Sequence, residues 1–347
     1  MQKSLNLSLS HEEKALTSVI DKIKLPLPSQ LPTHSLIGWI TYYYHVHVKG
    51  APEKTEQAKR KDLAKFLSFF ELEVGSDHVD SWTPAVTKHF QKGLRKTISF
   101  KTQKPYKATS INRIMATIRH FGRWLHKQRP LVAGNPLENV KDLTTDASDW
   151  NGLTPRQLMR LKSACEQRIK SCTRKDQDPQ LETAVFYTLL GTGLRESELV
   201  SLDVYQYHHR GLHDVMRHKS KRISKKVPLP QEAREFLEQY LEKRQAQQEQ
   251  PLFTNRYDKR LKELDVYRIC QRVLKQALAY LPESEKFQFT PHKLRHTFLK
   301  RAADKYGIHY CFKASGNVSA KTIFNYTQPS QDELDEAVEA LFDTLQQ

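Results

Sequence analysis

The sequence predicts a mainly α-helical protein with one small antiparallel β-sheet, arranged in two domains. Three observations support this fold class. Apolar residues recur at helical spacing over most of the chain, strand patterns occur in only one stretch, and 347 residues exceed the usual length of a single domain. Hydrophobic residues make up 38% of the chain and charged residues 27%, which is enough for folded cores and argues against general disorder.

The composition also excludes several classes of protein. No apolar run approaches the roughly eighteen residues that cross a bilayer, and the N-terminus lacks the apolar stretch of a signal peptide, so no membrane partner is expected. The four cysteines fit neither a disulfide framework nor a zinc pattern. We therefore expect a cytoplasmic protein without a metal site.

The first half of the chain is predicted to be an arm followed by a helical domain. Residues 1–30 end in a proline-punctuated segment and form an N-terminal arm or linker. Helical patterns cover 35–48 and 56–70. The tyrosines at 42–44 are expected to pack between helices rather than to stack on bases. Together with an amphipathic helix around 111–125, these patterns predict a helical domain over 31–143.

Positive charge is concentrated in this first domain. The chain carries 56 Lys plus Arg against 39 Asp plus Glu, a formal net charge of +17, which points to nucleic acid as a polyanionic partner. Residues 81–137 hold 12 of these basic residues and no acidic residue. Surfaces that are only solvated usually mix both signs, so this window is expected to contact DNA phosphates.

An amphipathic helix lies at the centre of this basic window. Its apolar stripe, at steps of three and four residues, consists of Ile111, Ile114, Ile118, Phe121 and Leu125. Thr109 or Ser110 is expected to cap its start. Basic side chains fall on the opposite face. The residues predicted to contact DNA are Lys107, Arg113, His120, Arg123 and Lys127 here, and Lys221 in the second domain.

The second half begins after a predicted linker over 144–153, which is rich in turn-forming residues. The pattern Thr154-Pro155 is a helix start signal. Helices are expected at 156–170, 181–190, 194–202, 231–244, 266–281 and 292–306. The only convincing strand patterns, 213–218 and 222–229, predict one hairpin around a lysine-rich turn. These elements make up a second domain over 154–330.

Four separated pieces of this second domain carry residues suited to phosphodiester chemistry. They are 191–199 with Arg195, the hairpin with Lys219 and Lys221, 290–298 with His292 and Arg295, and 315–326 with Asn317 and Tyr326. Each piece alone has an ordinary explanation, such as an ion pair between Arg195 and Glu198 one helical turn apart. In this order and spacing they resemble the tyrosine recombinase (phage integrase) family, and the spacings are similar to those of its compact Xer-type members.

The resemblance covers the chain after its first 30 residues and implies both a fold and a reaction. The fold is an N-terminal helical core-binding domain followed by a tyrosine-recombinase catalytic domain. The reaction is site-specific cleavage and rejoining of DNA, in which Tyr326 forms a covalent 3′-phosphotyrosyl intermediate. Strands are exchanged through a Holliday junction in a tetrameric synapse. Because the covalent bond conserves the phosphodiester energy, no cofactor, neither metal nor ATP, is expected.

Elementary chemistry agrees with the roles that the resemblance implies. The guanidiniums of Arg195 and Arg295 can bind phosphate oxygens through paired donors that never lose their charge. His292, three residues before Arg295, can donate to the same phosphate or move a proton. In the family a hairpin lysine protonates the leaving 5′ oxygen. Lys219 is the preferred candidate and Lys221 the alternative.

Asn317 departs from the family pattern, which usually has His or Trp nine residues before the tyrosine. An amide donates a hydrogen bond but cannot ionise, so we expect a slower but live enzyme, with His309 as a group that could compensate. Glu198 and Asp203 match positions that orient the first arginine. Three alternatives stay open: a type IB topoisomerase-like enzyme, a catalytically silent DNA-binding member of the fold, and a basic architectural protein.

The last segment, 331–347, differs from the rest because it holds six acidic residues and no Lys or Arg. Its helical apolar spacing and negative charge favour contact with protein over contact with DNA. In the family such a helix docks into a neighbouring subunit, and the alternative is packing on its own domain.

The expected partners are a double-stranded recombination site, a homotetramer of this chain, and an accessory recombinase or directionality protein. The expected location is the cytoplasm, at the nucleoid.

Overall fold

The structure is a computed structural model that describes residues 34–99, 102–145, 151–316 and 331–343. The chain divides into two compact units, Met1–Asp146 and Ala147–Gln347. The predicted arm 1–30 and the site residues Asn317 and Tyr326 lie outside the described residues. Within the described ranges, no helix is long and apolar enough to span a membrane. The predicted fold class, mainly helical with one small antiparallel sheet, is confirmed.

The first unit contains four described helices. Helix α1, Leu36–Tyr43, continues through a π-helical turn at Tyr44–Val48, and is followed by α2 at Glu53–Val74, α3 at Pro84–Lys96 and α4 at Ala108–Gln128. A short 3₁₀ turn at Val79–Ser81 precedes α3. Thr83 caps α3 through the amide of Val86, with Pro84 at the first helical position. The expected cap of α4 at Thr109 or Ser110 is wrong, because the helix already begins at Ala108.

The core of the first unit is aromatic. Trp82 is fully buried, stacks on Phe121 at 5.4 Å between ring centroids, and contacts Phe66 at 4.7 Å. The Trp82 indole donates to Thr87 Oγ1 at 2.8 Å, so its polar group is satisfied inside the core. Tyr43 is also fully buried and packs 5.2 Å from the Phe121 ring, which confirms a packing role for the tyrosines near 42–44.

The second unit is built around the apolar helix α6. The elements in order are α5 at Pro155–Ser171, α6 at Pro179–Thr192, α7 at Glu196–Val200, β1 at Tyr207–His208, β2 at Gly211–Arg217, β3 at Arg222–Pro228, α8 at Gln231–Arg244, α9 at Glu263–Ala277, α10 at Pro291–Tyr306, α11 at Ile308–Ser315 and α12 at Gln331–Asp343. Short 3₁₀ turns lie at Val204–Gln206 and Glu283–Glu285. Thr154 forms a capping box with Gln157 at the start of α5, as the start signal predicts.

Three antiparallel strands in the order β1-β2-β3 form the sheet. Arg217 pairs with Arg222 at the end of the predicted hairpin, which is confirmed. The third strand, β1, was not predicted because it is only two residues long. Its turn into β2 places His209 and Arg210 at φ 47° and 63°, a left-handed pair that Asn-Gly sequences usually supply. The sequence therefore carries no ordinary signal for this turn.

Helix α11 is a second element that the sequence did not predict. It follows Gly307, which has φ 81°, and it ends at Gly316 with φ 62°. Short helices between glycines lack the apolar repeat of a longer helix, so their pattern is weak.

Candidate active site

Arg195 lies in the turn between α6 and α7. Gly193 ends α6 in the left-handed conformation, and a Cβ at this position would lie 2.3 Å from the Phe298 ring. Only glycine therefore fits both the backbone and the space. Glu198 accepts hydrogen bonds from Arg195 Nη1 at 2.8 Å and from the Arg195 amide at 3.1 Å. One carboxylate thus holds both the backbone and the side chain of Arg195.

The Glu198 carboxylate is fully buried and serves a second arginine. Arg217 Nη1 donates to Glu198 Oε2 at 3.0 Å. Burial alone would raise the pKa of Glu198, but the charge of Arg217 and the hydrogen bonds and charge of Arg195 outweigh it and hold this pKa below its ordinary value. Glu198 is therefore ionised in the folded protein and orients Arg195, the structural role that the sequence analysis gave it.

Asp203 ties the end of α7 to the chain before α9. It forms an ion pair with Arg260. The Arg260 guanidinium also donates to the carbonyl oxygens of Val200 at 3.0 Å and Leu202 at 2.9 Å. These bonds satisfy carbonyl groups at the end of α7 and fix the helix that begins at Arg195.

Arg295 is buried in α10, with 1% of its surface exposed. Its Nη1 donates to the carbonyl oxygen of Gly193 at 2.5 Å, and its Nη2 donates to that of Ser315 at 2.8 Å. The guanidinium therefore joins the end of α6, two residues before Arg195, to the end of α11, two residues before Asn317. A buried guanidinium of this kind is rigid, because its hydrogen bonds fix its plane.

His292 lies in the first turn of α10, three residues before Arg295. Partial burial lowers the pKa of His292. The nearby positive charges of Arg295, Arg195 and Lys219 lower it further, against an opposing effect of Glu196. The imidazole is therefore neutral at pH 7 and can accept a proton. Hydrogen bonds bring the neighbouring segments together: Arg295 donates to Gly193, two residues before Arg195, and Arg217, two residues before Lys219, shares Glu198 with Arg195.

Lys219 occupies the hairpin turn between β2 and β3. The Ser220 amide donates to the carbonyl oxygen of Arg217 at 3.1 Å, which closes a turn with Lys219 at its centre. Lys221 follows with a left-handed backbone, φ 52°. Both lysine side chains are exposed, and Lys219 is the one whose charge acts on His292.

The basic face of α4 is exposed as predicted. Lys107, Arg113, His120, Arg123 and Lys127 are all exposed, while the apolar stripe of the helix is buried. Two of the five also have partners within the unit. Arg113 forms a two-pronged ion pair with the buried Asp62, at 2.7 and 2.8 Å, and His120 Nδ1 lies 2.5 Å from Tyr43 Oη.

One group of side chains in the described part of the chain has the residue types of a metal site, although no metal site was predicted. In the part of the chain that the structure describes, His34, His78 and Asp80 form the one group whose ligand atoms lie within 4.8 Å of one another. Both oxygens of Asp80 accept hydrogen bonds from Arg129, at 2.8 and 2.6 Å. A cation here would have to compete with this guanidinium, so we assign no metal to the group.

Comparison with known proteins identifies a family. A sequence profile described as the phage integrase family matches residues 151–333. The tyrosine recombinase XerC of Herpetosiphon aurantiacus is 26% identical over 293 residues, covering 82% of this chain and 87% of that protein. The tyrosine recombinase XerS of Streptococcus uberis is 31% identical over 181 residues, covering 50% of this chain and 48% of that protein.

Solved structures with a similar fold include two integrases. The Tn1549 transposon integrase in complex with a circular intermediate DNA has a TM-score of 0.65 and 18% identity, covering 89% of this chain and 99% of that one. A lambda integrase dimer bound to a COC′ core site has a TM-score of 0.64 and 14% identity, covering 85% and 95% respectively. At these identities the likeness shows the fold.

The family profile covers more than half of the chain, and it spans the elements that carry Arg195, Lys219, His292 and Arg295. Similar proteins that share the description tyrosine recombinase match over most of their own length, 87% and 79% in two cases. The chain is therefore a tyrosine site-specific recombinase of the phage integrase family.

Proposed function

We propose that this recombinase cleaves and rejoins double-stranded DNA at a recombination site through a covalent 3′-phosphotyrosyl intermediate on Tyr326. The observation that supports this proposal is the convergence of groups from separate segments. Arg295 donates to the carbonyl oxygen of Gly193, two residues before Arg195, and Arg217, two residues before Lys219, shares the Glu198 carboxylate with Arg195, so α10, the α6–α7 turn and the hairpin meet. Such a cluster of permanent cations beside a neutral imidazole suits one scissile phosphate.

In the proposed step, Tyr326 Oη attacks the phosphorus atom and the bond from phosphorus to the 5′ oxygen breaks. The neutral His292 imidazole accepts the tyrosine proton, and the Lys219 ammonium gives a proton to the leaving 5′ oxygen. The reverse step, with a 5′ hydroxyl of another strand as nucleophile, rejoins the DNA. Each step exchanges one phosphodiester for another, so neither ATP nor a metal ion is required.

The two arginines suit stabilisation of the phosphate because both are fixed before DNA binds. Glu198 holds Arg195 at its backbone and its side chain. Arg295 is held by two carbonyl oxygens and is almost fully buried. Fixed donors cost no reorganisation when negative charge grows on the phosphate oxygens, and one such donor is worth about 100-fold to 1,000-fold in rate. Arg195 is the fixed donor of this kind, whereas Arg295, whose Nη1 and Nη2 each donate to a carbonyl oxygen, would reach the phosphate only through its remaining N–H groups. Asn317 would supply a further neutral donor.

We propose that the first unit is the core-binding domain, and that the exposed basic face of α4 lies along the DNA backbone. The twelve basic residues and the lack of acidic residues over 81–137 support this role. Two proteins of similar fold, the Tn1549 and lambda integrases, were solved bound to DNA. Phosphate contacts of this kind would position the protein without selecting a sequence.

We also propose that four copies assemble on two sites and exchange strands through a Holliday junction. Helix α12 supports a docking role because Leu334 is 44% exposed and Val338 is 53% exposed on one side of an otherwise acidic helix. The helix would contact a neighbouring copy, and an accessory recombinase or directionality protein could join the assembly. The reaction would take place in the cytoplasm, at the nucleoid.

The test uses a nicked suicide duplex that traps the covalent intermediate. The target duplex is first selected from a random DNA library by its binding to the full chain. We expect wild type to form an adduct that resists SDS, and Tyr326→Phe to form none. Tyr280→Phe is the matched control, because Tyr280 lies in the same unit and is 95% exposed, and it should react like wild type.

Two outcomes would overturn the proposal: no adduct with wild type, or an adduct with Tyr326→Phe. Supercoiled plasmid without the selected site tests the topoisomerase-like alternative. The proposal expects no relaxation of that plasmid, whereas site-independent relaxation by wild type would contradict site-specific recombination.

A further inference from the structure

Arg217 is a buried arginine to which the proposed chemistry gives no role. It lies at the end of β2, two residues before Lys219, and only 2% of its surface is exposed. Along β2 it shares the buried side of the strand with Val215. A core-facing strand position normally holds an apolar residue, and a buried charge is costly unless it is paired and hydrogen-bonded. The Arg217 guanidinium therefore requires buried partners that compensate its charge.

The Arg217 guanidinium joins three separate segments. Its Nη1 donates to Glu198 Oε2 at 3.0 Å and its Nε donates to Ser224 Oγ at 2.9 Å. Its Nη2 lies 3.4 Å from the carbonyl oxygen of Ala314. One side chain thus connects α7, β3 and the last turn of α11.

The stem of Arg217 also lies against the chain just before Asn317. A Cβ added at Gly316 would lie 2.9 Å from Arg217 Nε and 3.0 Å from its Cδ. Gly316 has φ 62°, so glycine suits both this backbone and the close approach. The stem of Arg217 therefore packs closely against Gly316, the residue that ends α11.

The main chain of Arg217 contacts the hairpin turn that holds Lys219. Its carbonyl oxygen accepts the Ser220 amide at 3.1 Å and closes the turn that holds Lys219. The side chain and the main chain of this one residue thus contact structures next to three predicted catalytic residues: Arg195, Lys219 and Asn317.

The two arginines share Glu198 through its two oxygens, Arg195 through Oε1 and Arg217 through Oε2. Without Arg217, the fully buried carboxylate would keep Arg195 as its ionic partner but lose the Arg217 charge, which opposes the effect of burial on its pKa. Its proton affinity would then rise, and a protonated Glu198 could no longer hold Arg195 by charge.

We propose that Arg217 is a positioning residue that keeps Arg195, the Lys219 turn and the end of α11, which precedes Asn317 and Tyr326 in the chain, in one arrangement. This inference rests on the proposed function for those four residues. Its consequence is a coupling: the end of α11 is held by the same side chain that helps to keep Glu198 charged. Loss of Arg217 should therefore slow chemistry while DNA binding is kept.

The test compares Arg217→Met with a matched control, Arg168→Met, in the full chain. Arg168 is the control because it too shares a buried carboxylate, Glu182, with a second arginine, Arg272. Adduct formation on saturating suicide duplex should be about 100-fold slower for Arg217→Met, since a misplacement of about 1 Å can cost this much. DNA affinity should stay within about threefold, and Arg217→Lys, which keeps the charge, should recover part of the rate.

A pH series separates this coupling from simple destabilisation. With Arg217→Met, loss of the Arg217 charge raises the pKa of Glu198 above its wild-type value, so the adduct rate should begin to fall at a higher pH than in wild type as the pH is lowered. Adding Glu198→Gln to Arg217→Met should remove this extra pH dependence. Wild type and Arg168→Met should share one pH profile. The inference is overturned if Arg168→Met matches Arg217→Met in both rate and pH profile.

Hydrogen exchange in the DNA-free protein tests the role of Arg217 in a way that does not depend on the proposed function. Arg217→Met should speed amide exchange in Ile308–Ser315 and at the hairpin turn by about tenfold or more, while Arg168→Met should not. If wild type forms no adduct, the proposed function fails, and exchange alone decides whether Arg217 holds α11. Unchanged exchange in Arg217→Met would contradict the inference.

Discussion

At the scale of single residues, the two arginines of the proposed active site are held by protein partners rather than by solvent. Glu198 fixes Arg195, and two carbonyl oxygens fix Arg295. Each contact removes rotamers that a free arginine would populate, and this order exists before DNA arrives. Burying these charges costs free energy. The stability of the protein should therefore be sensitive to substitution of these residues and to pH.

His296 predicts the direction in which the stability of the folded protein changes with pH. Burial, with the charges of His292, Arg295 and Lys293, lowers the pKa of His296 to about 4. Between about pH 6.5 and about pH 4, the unfolded chain binds a proton that the folded protein does not, so stability falls as the pH falls, by at most about 3 kcal/mol. Thermal melts should show a smaller loss of Tm from pH 7 to pH 5 for His296→Gln than for wild type. The exposed His309→Gln is the control, and an equal loss in all three proteins would contradict the pKa shift.

Gly193 tests the steric requirement of the α6–α7 turn. Gly193→Ala combines a left-handed backbone, φ 61°, with a Cβ at 2.3 Å from the Phe298 ring, so it should cost about 3 kcal/mol. Gly75→Ala is the matched control, since Gly75 also ends a helix at φ 68° but has open space around it, and it should cost about 1 kcal/mol. Urea unfolding measures both, and equal losses would show that the Phe298 contact is unimportant.

Residue spacing predicted the catalytic candidates and the Glu198 partner of Arg195, but not the contacts of Arg217 and Arg113. Arg195, His292 and Arg295 could be located because their chemistry and order are specific. Arg217 could not, because an arginine in a lysine-rich hairpin is most simply taken as a solvated or DNA-facing residue. The exposed Arg113 was predicted to contact DNA, and its ion pair with Asp62, 51 residues earlier in the chain, was not foreseen. Helical periodicity describes which face a residue lies on and says nothing about a partner on another helix.

At the scale of elements, α4 combines a buried apolar stripe with an exposed basic face. Each phosphate contact releases counterions, so the slope of log K against log salt concentration counts these contacts. Arg123→Gln and Lys127→Gln should each reduce the magnitude of this slope by about 0.9. Lys170→Gln, an exposed lysine in the second unit, should leave it unchanged. Fluorescence anisotropy at several salt concentrations measures the slope, and unchanged slopes for both α4 variants would exclude this face from the DNA interface.

Most helices could be predicted from sequence because long amphipathic repeats are strong signals. Helix α5 begins at Pro155, as the start signal Thr154-Pro155 predicts, and α10 begins at Pro291, one residue before its predicted start. Strand β1 and helix α11 could not be predicted, since two and eight residues offer too little periodicity. Helix α11 lies between Gly307 and Gly316, and glycines alone do not indicate a helix between them.

At the scale of the whole molecule, the strongly basic and the strongly acidic segments lie in different units. The basic window 81–137 lies in the first unit, and the acidic segment 331–347 ends the second. This separation suits a protein that binds DNA with one surface and another copy of itself with a different one. Overall composition predicted the polyanionic partner, whereas the reaction followed from the spacing of a few residues.

Helix α12 carries the prediction about assembly. Leu334→Asp with Val338→Asp places charge on its exposed apolar side, so the complex of four copies with two DNA sites should be lost. Binding of a single site should change less than about threefold, because the helix is not part of the proposed DNA interface. Glu336→Gln, on the other side of the helix, is the control. Analytical ultracentrifugation of the protein–DNA complexes measures this, and an intact four-copy complex in the double variant would contradict the docking role.

The most direct test of the central claim is the chemical identity of the trapped bond. The SDS-resistant adduct from the suicide duplex is digested with nuclease and protease, and the modified peptide is sequenced by mass spectrometry. The proposed mechanism predicts one modified residue, Tyr326, that carries a nucleotide through its 3′ phosphate. A nucleotide on any other side chain, or linkage through a 5′ phosphate, would contradict it.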